Sequence, residues 1–162
     1  MKTSSKILAI AIMASSVFAS CNATNTSKDD AQTETAQTTE IDVPFTEAQR
    51  YFVKNTYKEG QLTNPKISTQ EDFDKFFGMA TTMGPNGKPT PIDFTKQYVI
   101  AVIGNVTDKA TTLSVNSLKQ KGDTITLRYK QLEGEKQSFT IQPLLLLRVD
   151  NQFQGSVKAI KE

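Results

Sequence analysis

In the second half of the chain, apolar positions fall in runs of strand length. Tyr98-Val99-Ile100-Ala101-Val102-Ile103 is uninterrupted, the pattern of a central strand covered on both faces. Thr111 to Leu118 predicts another strand, and Lys121-Gly122-Asp123 a turn. From Thr124 to Lys130 the residues alternate: Ile125, Leu127 and Tyr129 point one way, and Thr124, Thr126, Arg128 and Lys130 the other. An antiparallel sheet with one wet face requires that alternation. Glu133-Gly134-Glu135 predicts the next hairpin turn, after which Phe139 and Ile141 continue an odd-numbered apolar face that resumes at Leu145, Leu147 and Val149. Pro143 cannot donate to a ladder, so it marks an edge, a bulge or a change of sheet direction. Leu144 and Leu146 put leucine on the second face too, so this strand is expected to turn a corner into the core. Asn151 to Gly155 then returns the chain into a last strand, Ser156 to Ile160.

Upstream, Arg50 to Asn55 is rich in aromatic and β-branched residues and predicts a first strand, followed by a loop from Tyr57 to Asn64. Ser68-Thr69-Gln70-Glu71 has the spacing of a capping box, with serine and glutamate satisfying the first free amides of a helix. Phe73, Phe76, Phe77 and Ala80 follow at i, i+3, i+4 and i+7, one apolar stripe, with Gly78 near the helix end. Thr81 to Pro91, with Gly84-Pro85 and Asn86-Gly87, is the most loop-like stretch; no glycine run leads directly into a helix, so it is not a phosphate cradle. The order predicts an α+β fold: a curved antiparallel meander of six to seven strands packed with one short helix.

The N-terminus is organised differently. Lys2 and Lys6 precede an apolar run from Ile7 to Ala14, and Phe18-Ala19-Ser20 leads to Cys21, the only cysteine. Positive, apolar, then small residues is the order of a secretory signal. With cysteine at the junction it resembles a bacterial lipoprotein signal, which implies that residues 1–20 are removed and Cys21 is acylated. The apolar run falls short of the ~20 residues needed to span a bilayer. Residues 22–40 have alanine as their only apolar side chain and cannot offset their ordering entropy, so they are expected to be a disordered tether, which the lipoprotein resemblance implies is lipid-anchored at Cys21. Within it, Ser27-Lys28-Asp29-Asp30 resembles the export signal of surface lipoproteins, although the acids stand farther from the cysteine. Residues 41–162 are enough for one domain. The expected location is the bacterial envelope, at the outer membrane and facing outward.

Composition narrows the function. Removing residues 1–20 takes two lysines from the 19 Lys+Arg and no acid from the 17 Asp+Glu, which leaves a formally neutral protein with no basic balance to suggest nucleic acid. One cysteine cannot form an internal disulfide. The chain has no histidine, so histidine triads, proton shuttles and imidazole metal sites are ruled out. The expectation is a non-enzyme without cofactor or metal. A Ser–Lys or carboxylate pair in a pocket would be needed to reverse it.

Several stretches taken together carry a resemblance: Tyr51-Phe52-Val53 with Asn55, Ile67 through Phe73, Phe76 through Ala80, Ile92-Asp93-Phe94 through Val102, and Thr140 through Val149. They resemble the C-terminal domain family of the protease complex subunit PrcB, over about residues 48–162. The resemblance implies a small α+β domain that associates with a surface protease or another envelope protein and performs no catalysis. The candidate contact is the loop Met79–Pro91, in which Met79 and Met83 offer adaptable apolar surface beside Pro85, Asn86 and Lys88. The competing expectations are a binder of glycan or small ligand, for which Tyr57, Tyr129 and Phe153 are the aromatics to check, and a peptidase inhibitor presenting the same loop.

Overall fold

The apolar run around Ile100 becomes the centre of the molecule. The structure is a computed structural model and describes residues 39–84 and 87–162. The signal-like residues 1–21 with Cys21, the expected tether as far as residue 38, and the loop residues Pro85 and Asn86 lie outside the described residues. Among the described residues the chain forms β1 (Ile41–Asp42), β2 (Phe45–Glu47), β3 (Tyr51–Val53), β4 (Lys66–Ile67), α1 (Gln70–Phe76), β5 (Phe77–Met79), β6 (Gln97–Ile103), β7 (Thr107–Lys121), β8 (Thr124–Ile141), β9 (Leu144–Asp150) and β10 (Ser156–Lys161). One sheet has the order β1-β7-β8-β10, a second β2-β9-β6-β4, and β3 pairs with β5 alone.

β6 sits between β9 and β4, with Ile100 opposite Leu147 and Ala101 opposite Leu146. Its two faces enter different cores. Tyr98, Ile100 and Val102, with Leu145, Leu147 and Val149 of β9, meet Leu113, Leu118, Ile125 and Leu127 of the facing sheet. Val99, Ala101 and Leu146 meet Phe73, Phe77, Val53 and Ile67 on the other side. Three layers result: sheet, sheet, and a cover made of α1 with the β3–β5 pair. Fully burying each such side chain contributes about 1.5–3 kcal/mol, which explains why β6 and β9 tolerate so few polar positions.

The architecture is mainly β with one short helix, and its sheets are open. It departs from the expected meander of six to seven strands, having ten strands in three sheets among the described residues. Two of the differences are topological. After β8, Pro143 marks a change of sheet, and β9 joins the second sheet. The chain reverses again through Asn151–Gly155, so β10 returns to the first sheet running parallel to β8, with Val157 opposite Ile125 and Ala159 opposite Leu127. The other difference is the absence of a turn at Glu133-Gly134-Glu135, which lies within β8, Glu133 opposite Thr111. Gly134 serves close approach instead: a Cβ there would stand 3.1 Å from the Ala110 carbonyl oxygen, beside two register shifts of the β7–β8 pair. This distal part of the hairpin is wet, and Phe139, expected on the apolar face, is exposed.

The helix also differs from its expected form. Its cap is Thr69, not Ser68; the Thr69 hydroxyl accepts from the Asp72 amide at 3.1 Å and donates to the Asp72 carboxylate at 2.8 Å. It ends at Phe76, because Phe77–Met79 is drawn into an antiparallel pairing with β3, Val53 opposite Phe77 and Tyr51 opposite Met79. Phe73 and Phe77 still pack together, ring centroids 4.9 Å apart.

Candidate interaction surface

The loop from Met79 to Pro91 is tied down at both ends. At its start the Ala80 amide donates to the Arg50 carbonyl at 2.9 Å, extending the β3–β5 pair. At its end the Thr90 amide donates to the Gln49 carbonyl at 3.1 Å, and the Gln49 amide returns a bond to the Thr90 hydroxyl at 3.0 Å. The Tyr51 phenol donates to the Thr90 carbonyl at 2.7 Å, and the Arg148 guanidinium to the Pro91 carbonyl at 2.9 Å. Burial, aided by the Asp74 carboxylate and opposed by Arg148, holds the Tyr51 pKa above its ordinary value, so the phenol remains a donor. Between these anchors the Thr82 amide donates to the Gly87 carbonyl at 2.9 Å. Gly87 is required there, since a Cβ would fall 1.7 Å from the Thr82 carbonyl oxygen.

This framework holds the two methionines outward. Met79 is 70% exposed and Met83 is fully exposed; Lys88 is exposed as well. Pro85 and Asn86 lie outside the described residues. Met79 forms the rim of a groove of about 680 Å³ floored by Phe73 and Phe77 and flanked by Tyr51, Lys54 and Ile92. Its polar groups are engaged: the Lys54 ammonium donates to the Asp74 carbonyl, and the Gln70 side-chain amide to the Asp74 carboxylate at 2.8 Å. Such a groove can seat an apolar side chain of a partner. Among the described residues no group of three or more His, Cys, Asp or Glu could hold a metal ion.

One member of the surface was not singled out by sequence reasoning. Phe52 is nearly half exposed, on the solvent face of β3. Strand alternation was the available signal, because Tyr51 and Val53 face inward on either side of it. The three aromatics considered for a ligand groove are partly buried: Tyr57 packs edge-on against Phe76, ring centroids 6.0 Å apart, and Tyr129 and Phe153 pack against the core between the sheets.

No protein-family model matches the chain, and neither the curated proteins nor the solved structures include a match.

Proposed function

We propose that this protein is a lipid-anchored envelope lipoprotein whose domain docks another protein through the Met79–Pro91 loop, as a non-catalytic accessory subunit. The observation that carries this reading is the outward presentation of Met79 and Met83 on a loop anchored at both ends, with Phe52 exposed nearby. Met79, Met83 and Phe52 together present adaptable apolar surface on a supported backbone, which suits recognition of a partner. The resemblance to the PrcB C-terminal domain supports an envelope protease as the partner, and the resemblance of residues 1–21 to a lipoprotein signal supports Cys21 as the anchor.

Mild detergent extraction of the tagged protein after crosslinking, with companions identified by mass, tests the reading. A stoichiometric envelope protein, lost when Met83–Lys88 is deleted from a folded chain, is the expected result; a solitary domain would overturn it. Cys21→Ala is expected to release the protein from membranes. A loop held at both ends with Met83 exposed also suits a peptidase inhibitor, which an inhibition assay with the purified chain separates from an accessory subunit.

A further inference from the structure

A second surface shares no lining residue with the Met79 groove. Among the described residues β10 is the last strand of its sheet and pairs with β8 alone. The Ser156 amide donates to the Asp123 carbonyl at 2.8 Å and the Glu162 amide to the Tyr129 carbonyl at 2.9 Å. By the two-residue repeat of a strand, even-numbered amides face β8, and Val157, Ala159 and Lys161 turn N–H and C=O outward. In the facing sheet, β4 covers β6 only as far as Ala101, whose amide donates to the Pro65 carbonyl at 2.9 Å. The same repeat aims the Ile103 amide at that uncovered side. Between the two edges lies a groove of about 500 Å³ walled by Leu62, Pro65, Val102, Ile103, Val157 and Ile160.

An outward row of backbone donors and acceptors beside an apolar groove is matched by an extended chain, which supplies both the complementary row and a side chain at every second position. Charge says which chain. Lys158 lines the groove, and Lys66 reaches the Gln154 side chain and the Gly155 carbonyl at the start of β10. Among the described residues neither lysine forms an ion pair with a carboxylate. Lysine on an edge strand opposes pairing with a second copy, and a strand bearing carboxylates answers it. We propose that β10 accepts an extended, acidic segment of a partner protein as a fifth strand of its sheet, with alternate apolar side chains buried in the groove and carboxylates beside Lys158. This goes beyond the loop reading, and each stands if the other fails.

Val157 to Lys161 span roughly 17 Å at about 3.3 Å per residue, so a seven-residue probe covers the edge. The mature full chain is titrated with a fluorescent, end-blocked heptapeptide alternating valine and glutamate. Its valine–lysine counterpart and a valine–glutamate peptide with a central proline are the comparisons, read by polarisation. Saturable binding of the first is expected, with the other two at least ten-fold weaker. Ala159→Pro removes an outward amide and spares the ladder to β8, and should lose binding at least ten-fold. Lys158→Glu, at an exposed side chain, should reverse the preference between the charged peptides and decides the matter if Ala159→Pro does not fold. No binding of the valine–glutamate peptide, equal binding of the proline-interrupted one, or undiminished binding by folded Lys158→Glu would overturn the proposal. Dimers in sedimentation that Ala159→Pro dissolves would overturn it in favour of a second copy.

Discussion

The ring of Phe52 lies over the α-carbon of Gly78, its cross-strand partner: a methyl group built on Gly78 would stand 2.5 Å from the Phe52 Cζ. The ring covers a backbone that carries no side chain of its own, the way an aromatic compensates for glycine in a sheet. Because Phe52 is 47% exposed, it can swing outward. Gly78→Ala is therefore expected to cost about 1 kcal/mol by displacing the ring. In a Phe52→Ala background the same change becomes neutral or slightly stabilising, since alanine loses less backbone entropy than glycine. A double-mutant cycle in denaturant measures the coupling; additive effects would show that the ring and the glycine are independent.

The cap of α1 gives a test of register. Thr69→Ala should destabilise by about 0.5–2 kcal/mol, the usual loss at an N-cap. Ser68→Ala, one residue outside the observed cap, should change stability by less than about 0.5 kcal/mol. Chemical denaturation of the two variants separates them, and the reverse ranking would place the helix start at Ser68.

Tyr98 is fully buried between the sheets, and among the described residues its hydroxyl has no hydrogen-bond partner; the Lys66 ammonium stands 4.4 Å from its ring centroid. Burial pushes its pKa up to about 12 from the ordinary 10.0. The folded state keeps the proton longer than the unfolded chain does, so this group's contribution is complete below pH 10.0 and is lost as the pH rises toward 12. Tyr98→Phe removes an unsatisfied hydroxyl and should stabilise the domain by about 1 kcal/mol. It should also flatten the alkaline decline, which melting curves between neutral pH and the upper end of that window would register. A loss of stability would show that the hydroxyl has a partner after all.

Acid should act through carboxylates. Hydrogen bonds from Lys75 and Thr69 hold Asp72 below the usual range, and those from the Thr95 hydroxyl and amide do the same for Asp93. The unfolded chain takes up these protons first as the pH falls, so their contribution is present above about pH 4 and disappears as the lowered folded values are crossed. Asp93→Asn should shallow the acid limb of a stability–pH curve and leave the neutral region nearly level. A parallel shift of the whole curve would assign Asp93 a role unrelated to its charge.

Met79→Ser with Met83→Ser removes two exposed side chains and should leave the melting temperature within about two degrees, as surface changes ordinarily cost less than 0.5 kcal/mol. The crosslinked partner should disappear. Loss of stability without loss of the partner would mean that the methionines serve the fold.

The β6 run was readable because its neighbours in sequence are all apolar, a condition met only when both faces are covered. The turn at Gly122 and the break at Pro143 were readable for the same local reason: a backbone at φ 56° favours glycine, and proline cannot donate. Leucine at 144–147 showed that both faces of this strand seek burial, but the strand does not turn a corner as expected: Leu145 and Leu147 enter one core and Leu144 and Leu146 the other. Met79 and Met83 were legible as adaptable residues in a loop, but their exposure was not, since it depends on where Gln49, Arg50 and Tyr51 hold the backbone.

Pairing partners decided the rest. Phe77 fits a helical stripe as well as a strand, and only the pairing with Val53 settles it. Glu133-Gly134-Glu135 reads as a turn until Ala110 and Thr111 occupy the other side. The direction of β10 follows from β9 lying in the other sheet, and its edge away from β8 has no partner strand among the described residues. Which side chains seek burial and where the backbone bends could be read along the chain, because those depend on each residue and its immediate neighbours. Which strands meet, which edges stay open and which apolar side chains remain in water emerge in the folded chain alone, because those depend on contacts between residues far apart in sequence.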